Sequence, residues 1–243
     1  MKNLVFLRFR LAAPSGLLGA LLLSLACGQK TPSARVDESY HPLVPGSSWK
    51  YQHDDWLEEV TLDAATFDGA PAFMMSDSAN PSDMLRSDSI VMLSEGRVLR
   101  MTKDEYLQVG TGDPVPQSSV TYGVGFTRFN EDWADQPVGY KETPEYVRVE
   151  TPPGGTARPG EERRHTFEVM SLSEEVPTPA GTFDCIVIKR TKDWEAEADG
   201  VDLADAETKT FWFARGVGKV QERNDETMSV ELLTEFELPA SAP

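Results

Sequence analysis

The chain reads as a mostly β protein: a large twisted antiparallel sheet, arranged as a half-barrel or two packed half-sheets, with few short helices. Three observations predict this. Apolar and polar residues alternate with a period of two along most of the chain after residue 40, as they do when successive side chains point to opposite faces of a strand. Pairs with turn chemistry separate the runs: Asp68-Gly69, Glu95-Gly96, Gly154-Gly155, Ala180-Gly181 and Asp199-Gly200. No segment carries the 3.6-residue apolar spacing of an amphipathic helix. Short helical turns are expected only at Asn80 to Arg86 and Asn130 to Ala134.

The first 26 residues are set apart from this pattern. Lys2, Arg8 and Arg10 precede an apolar run from Leu17 to Ala26. A basic start, a short apolar core and a small residue at the end make a secretory signal. The core is shorter than the roughly 20 apolar residues of a stable membrane-spanning helix. The ending Leu23-Ser24-Leu25-Ala26-Cys27 resembles the lipobox of bacterial lipoproteins. That resemblance implies that Cys27 becomes the first mature residue and carries a diacylglyceryl group, with palmitate-type chains as membrane anchor. Gly28 stands where the resemblance would place Asp in a protein held at the inner membrane, which favours the outer membrane. Residues 27–39 are polar and read as the lipidated Cys followed by a flexible tether.

Residues 40–243 read as a single β-rich domain. Trp49, Tyr51 and His53 alternate with Lys50, Gln52 and Asp54. Val147 and Val149 alternate with Tyr146, Arg148 and Glu150, and Phe167 and Val169 with Thr166 and Glu168. At the end of the chain, Val230, Leu232, Phe236 and Leu238 are expected on one face and Glu231, Glu235 and Glu237 on the other. Two stretches, about 57–125 and 165–238, share an order of runs and turns, with Gly69 answering to Gly181 and Gly96 to Gly216. This suggests an internal duplication.

Three signatures carry a family resemblance. They are Tyr40-His41-Pro42-Leu43-Val44-Pro45-Gly46-Ser47-Ser48-Trp49-Lys50-Tyr51, Pro179-Ala180-Gly181-Thr182-Phe183-Asp184-Cys185, and Phe211-Trp212-Phe213-Ala214-Arg215-Gly216-Val217-Gly218-Lys219-Val220. Together they resemble the TapB-like group of bacterial envelope lipoproteins of unknown function. The resemblance implies a curved antiparallel sheet of the half-barrel kind seen in the lipoprotein carriers LolA and LolB. It implies no catalytic residue. Read on their own, the signatures are fold-keeping: Pro42, Pro45 and Gly46 set a turn, Trp49 and Tyr51 plug one end of a core, and Gly216 and Gly218 allow a bend between strands.

Charge excludes one class of function. Lys plus Arg number 23 against 40 Asp plus Glu, a net charge of -17. Such a surface repels phosphate backbones, so nucleic-acid binding through a basic face is not expected. Catalytic motifs are missing: there is no Gly-x-Ser-x-Gly, His-Glu-x-x-His, Cys-x-x-Cys or phosphate loop. His41, His53 and His165 are far apart, so a zinc site would need the fold to gather them. Cys185 sits in an apolar run and reads as a small buried hydrophobe. The acidic stretch Asp193 to Glu207 matches a calcium loop poorly, because Ala206 stands where a bidentate Glu is needed. No cofactor, metal or catalytic residue is therefore assigned.

The function expected is a non-enzymatic binding or structural role at the bacterial cell envelope. The membrane is reached through lipid on Cys27, with an envelope protein as the expected partner. One alternative is a periplasmic carrier of an apolar ligand or lipoprotein, its cavity lined by Met74, Met75, Met84, Met92, Met101 and Met170. Another is a glycan-acting hydrolase using exposed Trp56, Trp133 and Trp194.

Overall fold

A computed structural model describes residues 38–193 and 207–239. The signal segment, Cys27, most of the tether and residues 194–206 of the acidic stretch lie outside them. The described chain forms thirteen strands: β1 (Ser47–Gln52), β2 (Leu57–Phe67), β3 (Ala70–Asp77), β4 (Leu85–Ser94), β5 (Arg97–Leu107), β6 (Val115–Asn130), β7 (Lys141–Glu142), β8 (Glu145–Thr151), β9 (Glu161–Thr178), β10 (Gly181–Asp193), β11 (Thr208–Ala214), β12 (Gly218–Asn224) and β13 (Val230–Glu237). All pairings are antiparallel.

The sheet is a closed barrel of twelve strands rather than the expected half-barrel or half-sheets. Closure comes from β9. Its 18 residues offer two long edges, one taken by β10 and the other by β8 and the short β7. β13 pairs with β1, so the first and last strands are also joined. Bulges at Met101 in β5, Ile186 in β10 and Val220 in β12 add the local bend that closure needs. Tight hairpins supply the sharp reversals. Asp68 and Gly69 have φ of 49° and 79°, and Glu95 and Gly96 have 50° and 75°. Two consecutive positive φ values match the twist of the flanking strands.

The stretches read as half-repeats fall on β2–β6 and β9–β13, each a meander of five strands. Gly69 and Gly181 lie in the first turn of each meander, and Gly96 and Gly216 in the third. The helical turn expected near Asn130 is a single 3₁₀ turn, Glu131–Asp135, capped by the Asn130 side chain accepting from the Asp132 amide. Residues 80–86 form a turn leading into β4 rather than a helix.

One end of the barrel is sealed. Leu62, Val91, Val98, Phe129, Trp133, Val169 and Ile188 are fully or almost fully buried. Phe129 and Phe213 meet with ring centroids 4.6 Å apart, and Trp133 and Phe167 at 4.8 Å. Polar ends of these large side chains find partners: Trp49 Nε1 donates to the Val217 carbonyl at 2.7 Å, and Trp133 Nε1 to Glu142 at 2.8 Å. The chain before β1 finishes the plug. Pro42 is buried, Tyr40 packs on Phe129, and Ser39 Oγ donates to Glu131. Trp133, expected as an exposed sugar platform, is 1% exposed and part of this plug.

Candidate functional site

The opposite half of the barrel is hollow and charged. Inward residues change character along each strand. On β5 they run Val98, Arg100, Lys103; on β9 they run Val169, Phe167, His165; on β10 they run Ile188, Arg190, Lys192. The register keeps these layers level: Val169 lies opposite Ile188, Phe167 opposite Arg190, and His165 opposite Lys192. Two cavities, of about 290 Å³ and 350 Å³, occupy this half, and Arg100, Phe126, Arg190 and Lys209 line both. They are thus neighbouring parts of one interior space. Eight basic side chains and one carboxylate, Glu207, line the second cavity, inside a protein whose net charge is -17.

Part of this charge is internally matched. Lys209 bridges Glu207 at 3.0 Å and Glu222 at 2.7 Å, and Lys192 pairs with Glu207. Burial alone would raise the Glu207 pKa, but Lys192 and Lys209 outweigh it and hold the carboxyl at about 2. Lys219 lies over the Tyr51 ring and reaches both Glu222, at 2.9 Å, and Glu231. Burial works against its charge, and those two carboxylates more than restore it. Glu231 gains less from the shared lysine: burial pushes its carboxyl above the usual range.

Other groups are left unmatched. Among the described residues, neither the Arg100 nor the Arg190 side chain has an ion pair, and the buried Nε of each lacks a hydrogen-bond partner. Arg190 instead lies over Phe211 at 5.0 Å and Phe126 at 5.7 Å. Such stacking holds a guanidinium without neutralising it. His165, 6% exposed, stacks on Tyr146 with centroids 5.5 Å apart, and its buried Nδ1 is unpartnered. Burial first, then the charge of Arg190, lowers its pKa to about 3, so the ring is neutral. In the cavity shared with Arg100 and Arg190, Asp77 accepts from Ser87 Oγ at 2.6 Å, and burial raises its pKa.

The sequence-predicted residues are scattered across this arrangement. His41 lines the 290 Å³ cavity where it meets the plug, 6.2 Å from the Phe213 ring, with burial lowering its pKa to about 4. His53 stacks on Trp56 at the rim, and His165 lies in the basic cavity. The fold brings one histidine, His53, near two carboxylates, Glu58 and Glu231, with ligand-type atoms within 4.8 Å. Lys219 already occupies Glu231 there. Of the six methionines expected around an apolar cavity, Met75 alone lines the interior space, and Met170 is 44% exposed. Cys185 is free and buried, and burial pushes its thiol up to about 12, which suits an inert core residue. Cys27 and the central part of the acidic stretch lie outside the described residues.

Sequence reasoning missed the charged interior, and on two strands the apolar residues do not mark the inward face. On β8, Tyr146, Arg148 and Glu150 share the inward phase while Val147 is exposed. On β13, Glu231 and Leu233 point inward. The expected single face of Val230, Leu232 and Phe236 is broken at Thr234, where Lys50 pairs with Glu235 but Tyr51 pairs with Leu233. That one-residue bulge swaps the phase, so Leu232 and Phe236 fall on opposite faces.

No family model matches the chain, and no curated protein does. The TapB-like resemblance thus rests on its three short signatures alone. Two solved structures are similar. One is a candidate exported protein with a YmcC-like fold from Bacteroides fragilis, 13% identical, with a TM-score of 0.50 over 82% of this chain and 99% of that one. The other is a candidate lipoprotein from Parabacteroides distasonis, 15% identical, with a TM-score of 0.47 over the same shares. The first likeness shows the fold: this chain folds as that YmcC-like protein does.

Proposed function

We propose that the protein is a non-enzymatic binding protein of the bacterial envelope, tethered by lipid on Cys27, that takes a small anionic ligand into the open half of its barrel. The observation that carries the reading is the pair of guanidiniums at Arg100 and Arg190, inside the barrel and with no ion pair to a carboxylate among the described residues. A charge removed from water needs a partner, and an anion supplies one. The neutral, unpartnered Nδ1 of His165 offers a further hydrogen bond in the same space. An apolar carrier is less well supported, because charged side chains line the hollow. The outer face carries Asp63, Asp104, Glu168 and Lys189 between inward residues, which does not fit a lipid-facing barrel wall. Ser39 is bound at the plugged end, through the Gly216 amide and Glu131, so a tether from Cys27 joins the barrel there and the charged mouth opens away from the junction.

Two experiments test this. Intact mass of the protein extracted from its native membranes, beside Cys27→Ser, is expected to show acyl groups on a chain beginning at Cys27, lost in the variant. Thermal unfolding of the full chain is then followed against phosphate, acetate and laurate. The reading expects the small anions to raise the melting temperature with concentration, and the rise to vanish in Arg100→Met/Arg190→Met. A response to laurate alone would instead support the apolar carrier, and no response to any of the three would remove ligand binding in the barrel.

A further inference from the structure

One cavity in the open half of the barrel is lined by opposite charges that form no ion pair with one another among the described residues. On one side are Arg100 and Arg190, with no ion pair among the described residues. On the other are Asp77, Glu58 and Glu231, which line the same 290 Å³ cavity. Asp77 has a hydroxyl partner, Ser87, but no bonded cation. Glu58 is 3.4 Å from His53 Nε2, a loose contact. Glu231 must share the single ammonium of Lys219 with Glu222. β2, β3 and β13 carry these carboxylates, and β5 and β10 the two arginines. Phe126 and Phe211 hold the Arg190 guanidinium in place by stacking.

A simple anion would satisfy the arginines and leave Asp77 and Glu58 without a bonded Lys or Arg. We infer that the ligand is zwitterionic: its anionic group, a phosphate or carboxylate, meets Arg100 and Arg190, and an ammonium group on the same molecule meets Asp77 and Glu58. This deepens the anion-binding reading and rests on it. A volume of about 290 Å³ suits a compact molecule, since liquid water takes about 30 Å³ per molecule. The aromatic faces of Tyr51, Phe126 and Phe211 border the same space and would cover a short methylene linker.

Calorimetric titration of the full chain with matched pairs tests the inference. The pairs are phosphoethanolamine against ethyl phosphate, and 4-aminobutyrate against butyrate. The expected result is at least tenfold tighter binding of an amino-bearing member than of its matched partner. In Asp77→Asn/Glu58→Gln this advantage disappears while ethyl phosphate still binds as it does to wild type. These substitutions keep shape and hydrogen-bonding capacity, and an unchanged melting temperature verifies the fold. Equal affinity for the members of each pair, with binding lost in Arg190→Met, overturns the zwitterion and leaves the anion site standing. Failure of all four compounds to bind overturns both.

Discussion

The two halves of the barrel use the same strands for opposite purposes. In the sealed half, inward positions hold Leu62, Val98, Phe129 and Ile188, and the polar tips of Trp49 and Trp133 are hydrogen-bonded. A few residues further along, inward positions hold Arg100, Lys103, His165, Arg190 and Glu231, several of them incompletely partnered. Burying a large apolar side chain contributes about 1.5–3 kcal/mol. Burying an unpaired charge costs stability. The sealed half therefore carries the fold, and the open half is a standing cost that a ligand can offset.

That division can be broken at several points, with effects of decreasing size. Phe129→Ala removes a fully buried ring that contacts Tyr40, Trp133 and Phe213. Its expected loss is about 3–5 kcal/mol, read by chemical denaturation. Trp49→Phe keeps an aromatic ring, though a smaller one, and leaves the buried Val217 carbonyl without its donor. The expected loss is about 1–3 kcal/mol. Arg190→Met runs the other way: it removes an unpaired inward charge while keeping apolar bulk. Stability is expected to hold within about 1 kcal/mol or to rise, whereas anion binding is lost. A loss as large as that of Phe129→Ala would show that the open half also carries the fold. Lys50→Ala, which removes an outward ion pair with Glu235, is expected to leave the melting temperature unchanged.

Acid acts on two buried histidines in the same way. His41 and His165, which line the two parts of the interior space, are held neutral, with pKa values lowered to about 4 and about 3 from 6.5. An unfolded imidazole takes a proton near 6.5, so unfolding below that pH binds protons that the fold refuses. Stability from these groups is complete above pH 6.5 and declines as the pH falls toward 4. The carboxyls of Glu231 and Asp77, raised by burial, work the other way in the same window, so the readout is the difference between variants: thermal melts of His165→Gln are expected to lose less stability than wild type as the pH falls. An equal slope in the variant would place the acid sensitivity elsewhere.

Much of the sealed half was legible in the sequence because there the inside is apolar. Trp49 and Tyr51 were expected to plug one end of the core and Phe167 and Val169 to share a face, and all four are buried. The hairpins at Asp68-Gly69 and Glu95-Gly96 were legible for a related reason: positive φ selects Gly locally, whatever the sheet does. The open half was hidden by the same rule. Where the interior is charged, an inward Arg148 and an outward Val147 show the same alternation as an ordinary strand, with the faces exchanged. Closure was not legible either. It depends on β9 meeting both β8 and β10, a pairing between strands that no local pattern encodes.

The most direct test of the account is calorimetric titration of phosphate into the full chain and into Arg100→Met/Arg190→Met, each first shown to melt at the same temperature. The account predicts a saturable heat in the wild type and none in the double variant. Equal heats in both, or none in either, would contradict it.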